Sequence, residues 1–268
     1  MGRRSMPVLA LGAALAVAFA AVATAKFTTI QAGNLVLEVD GGVSPKALPK
    51  KTYAPVTVNV KGKISAKDGT HPDAFRETTI DFDRNGKLNP KGLAVCKGGG
   101  RQLEARPTEA AKKVCGASEV GKGSGKISIA FPEQPPIPVN APITVFNGGT
   151  KGGQTTLYIH TYITVPVPSA VVTTVTIKKI NAGRYGLSTV SKIPVIAGGS
   201  GSVLSFDIDF KRIFTYKGKK QSYFVARCPD GHFNANIKQA IFVNEDGDGP
   251  RTKTTLSGLV VRPCTPKG

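Results

Sequence analysis

Apolar and polar residues alternate one for one along most of this chain, and that period of two is its strongest constraint. Successive side chains of a strand point to opposite faces, so strict alternation makes one apolar and one polar face. Over 55–64, Val56, Val58 and Val60 share one face, while Thr57, Asn59, Lys61 and Lys63 share the other. Over 202–210, Leu204, Phe206, Ile208 and Phe210 alternate with Val203, Ser205, Asp207 and Asp209. The same period recurs over 78–82, 126–131, 143–146, 155–165, 171–180, 223–228, 232–242 and 254–262. Turn signals stand between these runs, at Asn85-Gly86, Gly148-Gly149 and Gly198-Gly199. Strands with one wet face pair in antiparallel sheets. The reading predicts an all-β fold, an antiparallel β-sandwich or a strongly curved half-barrel.

Composition agrees. The chain holds 31 Gly and 19 Pro, no Trp and only 20% charged residues, which is unlike a helical bundle. One segment departs from the strand period. At 107–114, Pro107 precedes a run of Ala, Glu and Lys between Cys96 and Cys115, which predicts one short helix in the first Cys loop. The segment 131–142 holds five prolines in FPEQPPIPVNAP. It could mark a boundary between two lobes, or a stiff connection within one domain. The second reading is preferred, because all-β domains reach about 250 residues. It gives a single domain over 26–268.

The first 25 residues read as an address. Arg3 and Arg4 precede an apolar run, Met6 to Ala25, that closes on Ala23-Thr24-Ala25, the small-x-small pattern of a cleavage site. Cleavage before Lys26 is expected, and with it a secreted, extracytoplasmic protein. No later run of about 18 apolar residues predicts a helix that crosses a membrane. In an oxidising compartment, the even set Cys96, Cys115, Cys228 and Cys264 reads as two disulfides rather than a metal site, since no short CxxC spacing occurs. Three pairings are open. The sequential one, Cys96–Cys115 with Cys228–Cys264, is favoured, and each loop it closes is worth roughly 3–4 kcal/mol on the chain-entropy model.

Several stretches carry a resemblance. LAVC (93–96), AAKKVCGASEVGKG (110–123), ITVFNGG (143–149), LYIHTYITVPVP (157–168) and YFVARCPDG (223–231) resemble an uncharacterised group of exported, β-rich, four-cysteine actinobacterial proteins. The resemblance covers most of 45–268. It implies export and a β-rich fold, and it carries over no activity and no catalytic residue.

The motifs that could carry chemistry are few. Asp81-Phe-Asp83-Arg-Asn85-Gly86 and Asn244-Glu-Asp246-Gly-Asp248-Gly249 space their acids like the first half of a calcium loop. Neither has Glu at the twelfth position, so calcium at Asn244, Asp246 and Asp248 is a weak expectation and no other cofactor is expected. Gly116 to Lys122 falls short of a phosphate-binding loop, because Gly123 stands where Ser or Thr is needed. A hydrolase would need one of His71, His160 and His232 beside a nucleophile and an acid, and no G-x-S-x-G is present. The balance leans away from an enzyme. Tyr158, His160 and Tyr162 share a strand face and could line a ligand groove, or could lie on the wet side of a sheet.

The formal net charge of +19 falls to about +17 once Arg3 and Arg4 leave with the leader. Its lysines are spread along the chain, with a cluster at Lys217, Lys219 and Lys220 on a predicted loop tip. Such spread favours charge-driven attraction to polyanions such as anionic wall polymer or lipid headgroups. Specific nucleic-acid recognition would call for more stacking aromatics. The leading expectation is therefore a secreted, non-catalytic cell-envelope protein that binds anionic wall or lipid groups. Its alternatives are a carrier holding an apolar ligand between curved sheets, and a secreted hydrolase.

Overall fold

The computed structural model describes residues 27–245 and 251–268. The leader expected at 1–25, and with it Asp246 and Asp248, lies outside the described residues. The chain opens with β1 (Thr28–Ala32), β2 (Leu35–Ser44), the short β3 (Ala47–Pro49) and the long β4 (Ala54–Ala66). Next come β5 (Ala74–Asp83) and β6 (Gly86–Leu88), then two short helices, α1 (Gly99–Glu104) and α2 (Thr108–Cys115). A run of hairpins follows: β7 (Glu119–Ile129), β8 (Ile137–Lys151), β9 (Gln154–Ile163), β10 (Ser169–Ala182) and β11 (Tyr185–Lys192). Then come β12 (Gly201–Phe210), the small hairpin β13 (Ile213–Tyr216) and β14 (Lys219–Ser222), and β15 (Phe224–Ala226). The chain ends with β16 (His232–Val243), β17 (Lys253–Pro263) and β18 (Thr265–Lys267).

Twelve of these strands form one antiparallel sheet in the order β1-β2-β4-β12-β7-β8-β9-β10-β11-β5-β16-β17. The fold is all-β and antiparallel, and the predicted helix at 108–115 is present. The sheet curls further than a half-barrel, into a nearly closed barrel. Its two edges meet without a shared ladder. Gly258 on β17 lets Ile30 of β1 approach, for a Cβ there would sit 2.6 Å from the Ile30 side chain. Arg262 of β17 reaches across to Asp40 (2.8 Å), the Thr28 hydroxyl (3.1 Å) and the Val39 carbonyl (2.9 Å). Side chains close what backbone pairing leaves open.

The Pro-rich segment 131–142 forms the turn between β7 and β8 and the start of β8, within this sheet. Strands from before and after it interleave, with β12 between β4 and β7 and β5 between β11 and β16.

One strand corrects its sequence reading. A β-bulge between Val203 and Ser205 inserts a residue into β12 opposite β7. The alternation shifts by one there, so Val203 joins Phe206, Ile208 and Phe210 on the inner side and Leu204 does not. The sequence pattern had put Leu204 on the apolar face. A second strand was missed altogether. In β2, Leu35, Leu37 and Val39 alternate, but Gly41-Gly42 interrupt the apolar pattern. Gly41 is instead a strand residue held close to its partner, where a Cβ would fall 2.6 Å from the Asn59 carbonyl oxygen.

The two ends of the barrel differ. At the crossover end, 67–73 runs from β4 to β5 and 193–200 runs from β11 to β12, so both cross the opening. Each is tied to a strand that the other adjoins: the Ser202 hydroxyl of β12 donates to the Pro72 carbonyl (2.7 Å), and the Arg76 guanidinium of β5 bonds the Pro194 carbonyl and pairs with Glu245. Ile196 is buried beneath this crossing, against Ile129 and Ile163. At the opposite end, β15 pairs with both β4 and β6 and so forms a strap. The Cys228–Cys264 bridge and the parallel pair β3–β18 lie beside it.

Candidate functional site: the barrel interior and its basic end

Barrels of about eight strands are narrow enough for their own side chains to fill, and wider ones enclose space. This twelve-stranded sheet encloses a cavity of about 420 Å³. Its wall is built from the inward positions that the alternation defines, among them Val60, Phe82, Ile159, Val175, Leu187 and Phe206, from six different strands. The inward hydroxyls of Thr78 and Thr189 bond backbone carbonyls of neighbouring strands, at 3.1 and 3.3 Å, so they present little polarity to the interior. Gly62 is part of the design. Phe206 pairs with it across β4 and β12, and its ring occupies the place of a side chain at 62, where a Cβ would lie 2.4 Å from the ring.

Of the charged residues that touch the cavity, Asp83, Lys87 and Arg262 stand at the end away from the crossovers. Asp83 is buried and fully engaged. Its carboxylate accepts from the Arg184 Nε (2.7 Å), the Asn85 amide and side chain (3.0 and 2.9 Å) and the Asn234 amide (3.2 Å). Arg184 also holds Asp230 at 2.6 Å, and that contact lowers the Asp230 carboxyl below its usual range. Lys87 is exposed on β6, beside the strap, 3.9 Å from the centre of the Tyr53 ring, with Arg227 5.2 Å from the same ring.

The spread-out lysines of the sequence converge here. The connections 45–53 and 211–223 both lie at this end, and neither contains an acid. The first carries Lys46, Lys50 and Lys51, and the second carries Lys211, Arg212 and the three lysines of the β13–β14 hairpin. Lys217 and Gly218 both have positive φ, as a two-residue primed turn requires, and Lys217, Lys219 and Lys220 are exposed. At the crossover end, the described loop residues carry Asp68, Asp73, Glu133 and Glu245 against Lys67 and Arg251. The chain is electrostatically polar along the barrel axis.

The other sequence candidates fall elsewhere. Tyr158, His160 and Tyr162 do share a face of β9, but it is the outer one. There α1 and α2, within the loop that Cys96–Cys115 closes, lay Leu103 and Ala111 over Tyr158 and His160 and against Phe146 of β8 and Val172 of β10. His160 is fully buried and bonds the Arg106 carbonyl through Nε2 (2.9 Å). Tyr158 packs under the glycines that begin α1, and Tyr162 is half-buried. The row therefore anchors the helical cover, and the groove suggested for it is filled by that cover. The helix α1 was missed because Gly98-Gly99-Gly100 at its start reads as a loop.

Of the other histidines, His71 Nε2 meets the Ser128 carbonyl (3.2 Å), and His232 Nδ1 meets the Asp230 carbonyl (3.2 Å). The calcium-like run 81–86 is the end of β5 and the turn into β6, two strands that do not pair, and its key carboxylate, Asp83, is spent on Arg184 and Asn85. The Asn244 amide bonds the Thr252 carbonyl at 3.0 Å, and its two partners in the expected calcium set are not among the described residues. Among the described residues, no three His, Cys, Asp or Glu side chains gather as a metal site. No helix there is long and apolar enough to cross a membrane.

No protein-family model matches the chain, and neither a curated protein nor a solved structure is significantly similar to it.

Proposed function

We propose that this protein is a carrier that holds an apolar ligand inside its barrel, outside the cytoplasm. The observation that carries the reading is the apolar cavity of about 420 Å³. That volume lies within the range of pockets that bury a small-molecule ligand, roughly 300–1,000 Å³. An apolar guest that enters the cavity exchanges water for an apolar wall. The leader-like segment at 1–25 and the two disulfides support export.

The test is a titration of the purified protein with palmitate and with an uncharged fluorescent naphthylamine. Saturable uptake of one ligand per chain is expected, with a negative heat-capacity change and little response to salt. Val60→Phe combined with Thr173→Phe places two rings in the cavity from well-separated strands, and should abolish uptake while the melting temperature holds or rises. Absence of saturable uptake by the wild-type protein overturns the reading.

A further inference from the structure

We infer that the basic end of the barrel is a docking face for an anionic lipid bilayer, across which the cavity exchanges its ligand; this rests on the carrier reading. Three observations point the same way. First, the charge is segregated: the acid-free connections 45–53 and 211–223 lie at one end, the second held where the Ser222 hydroxyl bonds the Val56 carbonyl of β4 (3.3 Å) and the first where Arg227, just after β15, bonds the Lys51 carbonyl (3.4 Å). The lysines there are exposed, and Lys217, Lys219 and Lys220 project on a two-stranded hairpin that lies outside the barrel sheet. Second, the cavity reaches that end. Gly86, Lys87 and Leu88 of β6, paired with the strap, are on its lining, and Lys87 is exposed to solvent as well. Third, at the other end the two crossing segments are each bonded to a strand that the other adjoins, and buried Ile196 of one of them borders the cavity.

The occupant follows from combining charge with the cavity. An anionic wall polymer would satisfy the lysines, but it offers an apolar guest nothing. A bilayer with anionic headgroups satisfies both, and each Lys or Arg held near such a surface raises affinity about fivefold. The attraction is screened over about 10 Å at 0.1 M salt, so docking is reversible and salt-sensitive. The crossover end offers the rival surface. Val165, Val167 and Val195 are exposed there on proline-rich loops, and the described loops of that end carry Asp68, Asp73, Glu133 and Glu245 against Lys67 and Arg251, an acid excess that an anionic bilayer disfavours.

The experiment is co-sedimentation with vesicles of phosphatidylcholine alone and of phosphatidylcholine with phosphatidylglycerol at about 70:30. It is run at about 50 and 200 mM salt, beside the palmitate titration on the same preparations. Expected is binding to the anionic vesicles only, falling steeply with salt. Two triple variants, Lys217→Gln/Lys219→Gln/Lys220→Gln and Lys46→Gln/Lys50→Gln/Lys51→Gln, should each lower partitioning by about tenfold or more. Val165→Ser/Val167→Ser should leave it unchanged, and melting temperatures should move little in all three. Equal binding to neutral vesicles, loss in the valine variant instead of the lysine variants, or retention on wall polymer without vesicle binding overturns the proposal. If palmitate uptake persists while vesicle binding fails, docking alone is refuted. If palmitate uptake fails, it is the carrier reading that falls.

Discussion

Burial holds the His160 imidazole below its ordinary pKa, against the opposing pull of the Arg106 and Leu103 carbonyls. With Nε2–H committed to the Arg106 carbonyl, the neutral ring fits the site, and Nδ1 has no hydrogen-bond partner among the described residues. The sign follows from that. The folded state binds the second proton less readily than the unfolded chain, whose histidine titrates near 6.5. The contribution of the neutral ring is therefore complete above pH 6.5 and is lost as pH falls from there toward the depressed folded value. His160→Gln retains a donor for Arg106 and cannot titrate. In melts at pH 7.5 and 5 it should be less stable than wild type at the higher pH through lost packing, with the gap narrowing at the lower. A gap that is constant or grows on acidification would refute the assignment. The sequence showed this residue between two tyrosines on one strand face, but not which face, because the helices that cover it come from 99–115.

Among the elements, β4 and β12 show how a glycine and an aromatic ring share one place. Their alternation was legible, and both strands are where the pattern put them. The role of Gly62 was not legible, since it depends on the register Gly62↔Phe206. Gly62→Ala should destabilise by about 1–3 kcal/mol, because the Phe206 ring must leave its position or the strands must part. In a Phe206→Leu background the same change should cost less than half as much, and the coupling in the double-mutant cycle reports the contact. Equal costs in both backgrounds would show that the ring does not occupy the site. The helical cover has a comparable logic. Cys96 and Cys115 lie 4.9 Å apart between Cα atoms and Cys228 and Cys264 6.1 Å, within the span a disulfide bridges, and both bridges are formed in the sequential pairing.

The whole molecule depends on a seam that no backbone ladder closes. Arg262 and Asp40 are largely buried there, and three further bonds or contacts, to Thr28, Val39 and between Gly258 and Ile30, complete the join. Removing the guanidinium leaves a poorly solvated carboxylate behind. Arg262→Met should therefore cost about 2–3 kcal/mol. Hydrogen exchange should locate the loss: amides of β1 and β17 should exchange faster, while β7, β8 and β9, paired on both sides, stay protected. A uniform increase across all strands would mean that the seam is not a separate weak point.

Strand content, antiparallel pairing, the short helix and the pairing of the cysteines were within reach of the sequence, because each depends on neighbours a few residues apart or on loop length. The period of two also named most of the cavity wall before its shape existed, since inward positions are set by the pleat alone. What the sequence could not contain was curvature and closure. Twelve strands make a lumen rather than a packed sandwich only through the twist of the whole sheet, the order that seats β12 beside β4 and β5 beside β11, and an arginine reaching between strands over two hundred residues apart. The same closure turned lysines scattered along the chain into one charged end, because a connection's side of the barrel depends on strand direction, which only the tertiary pairing decides.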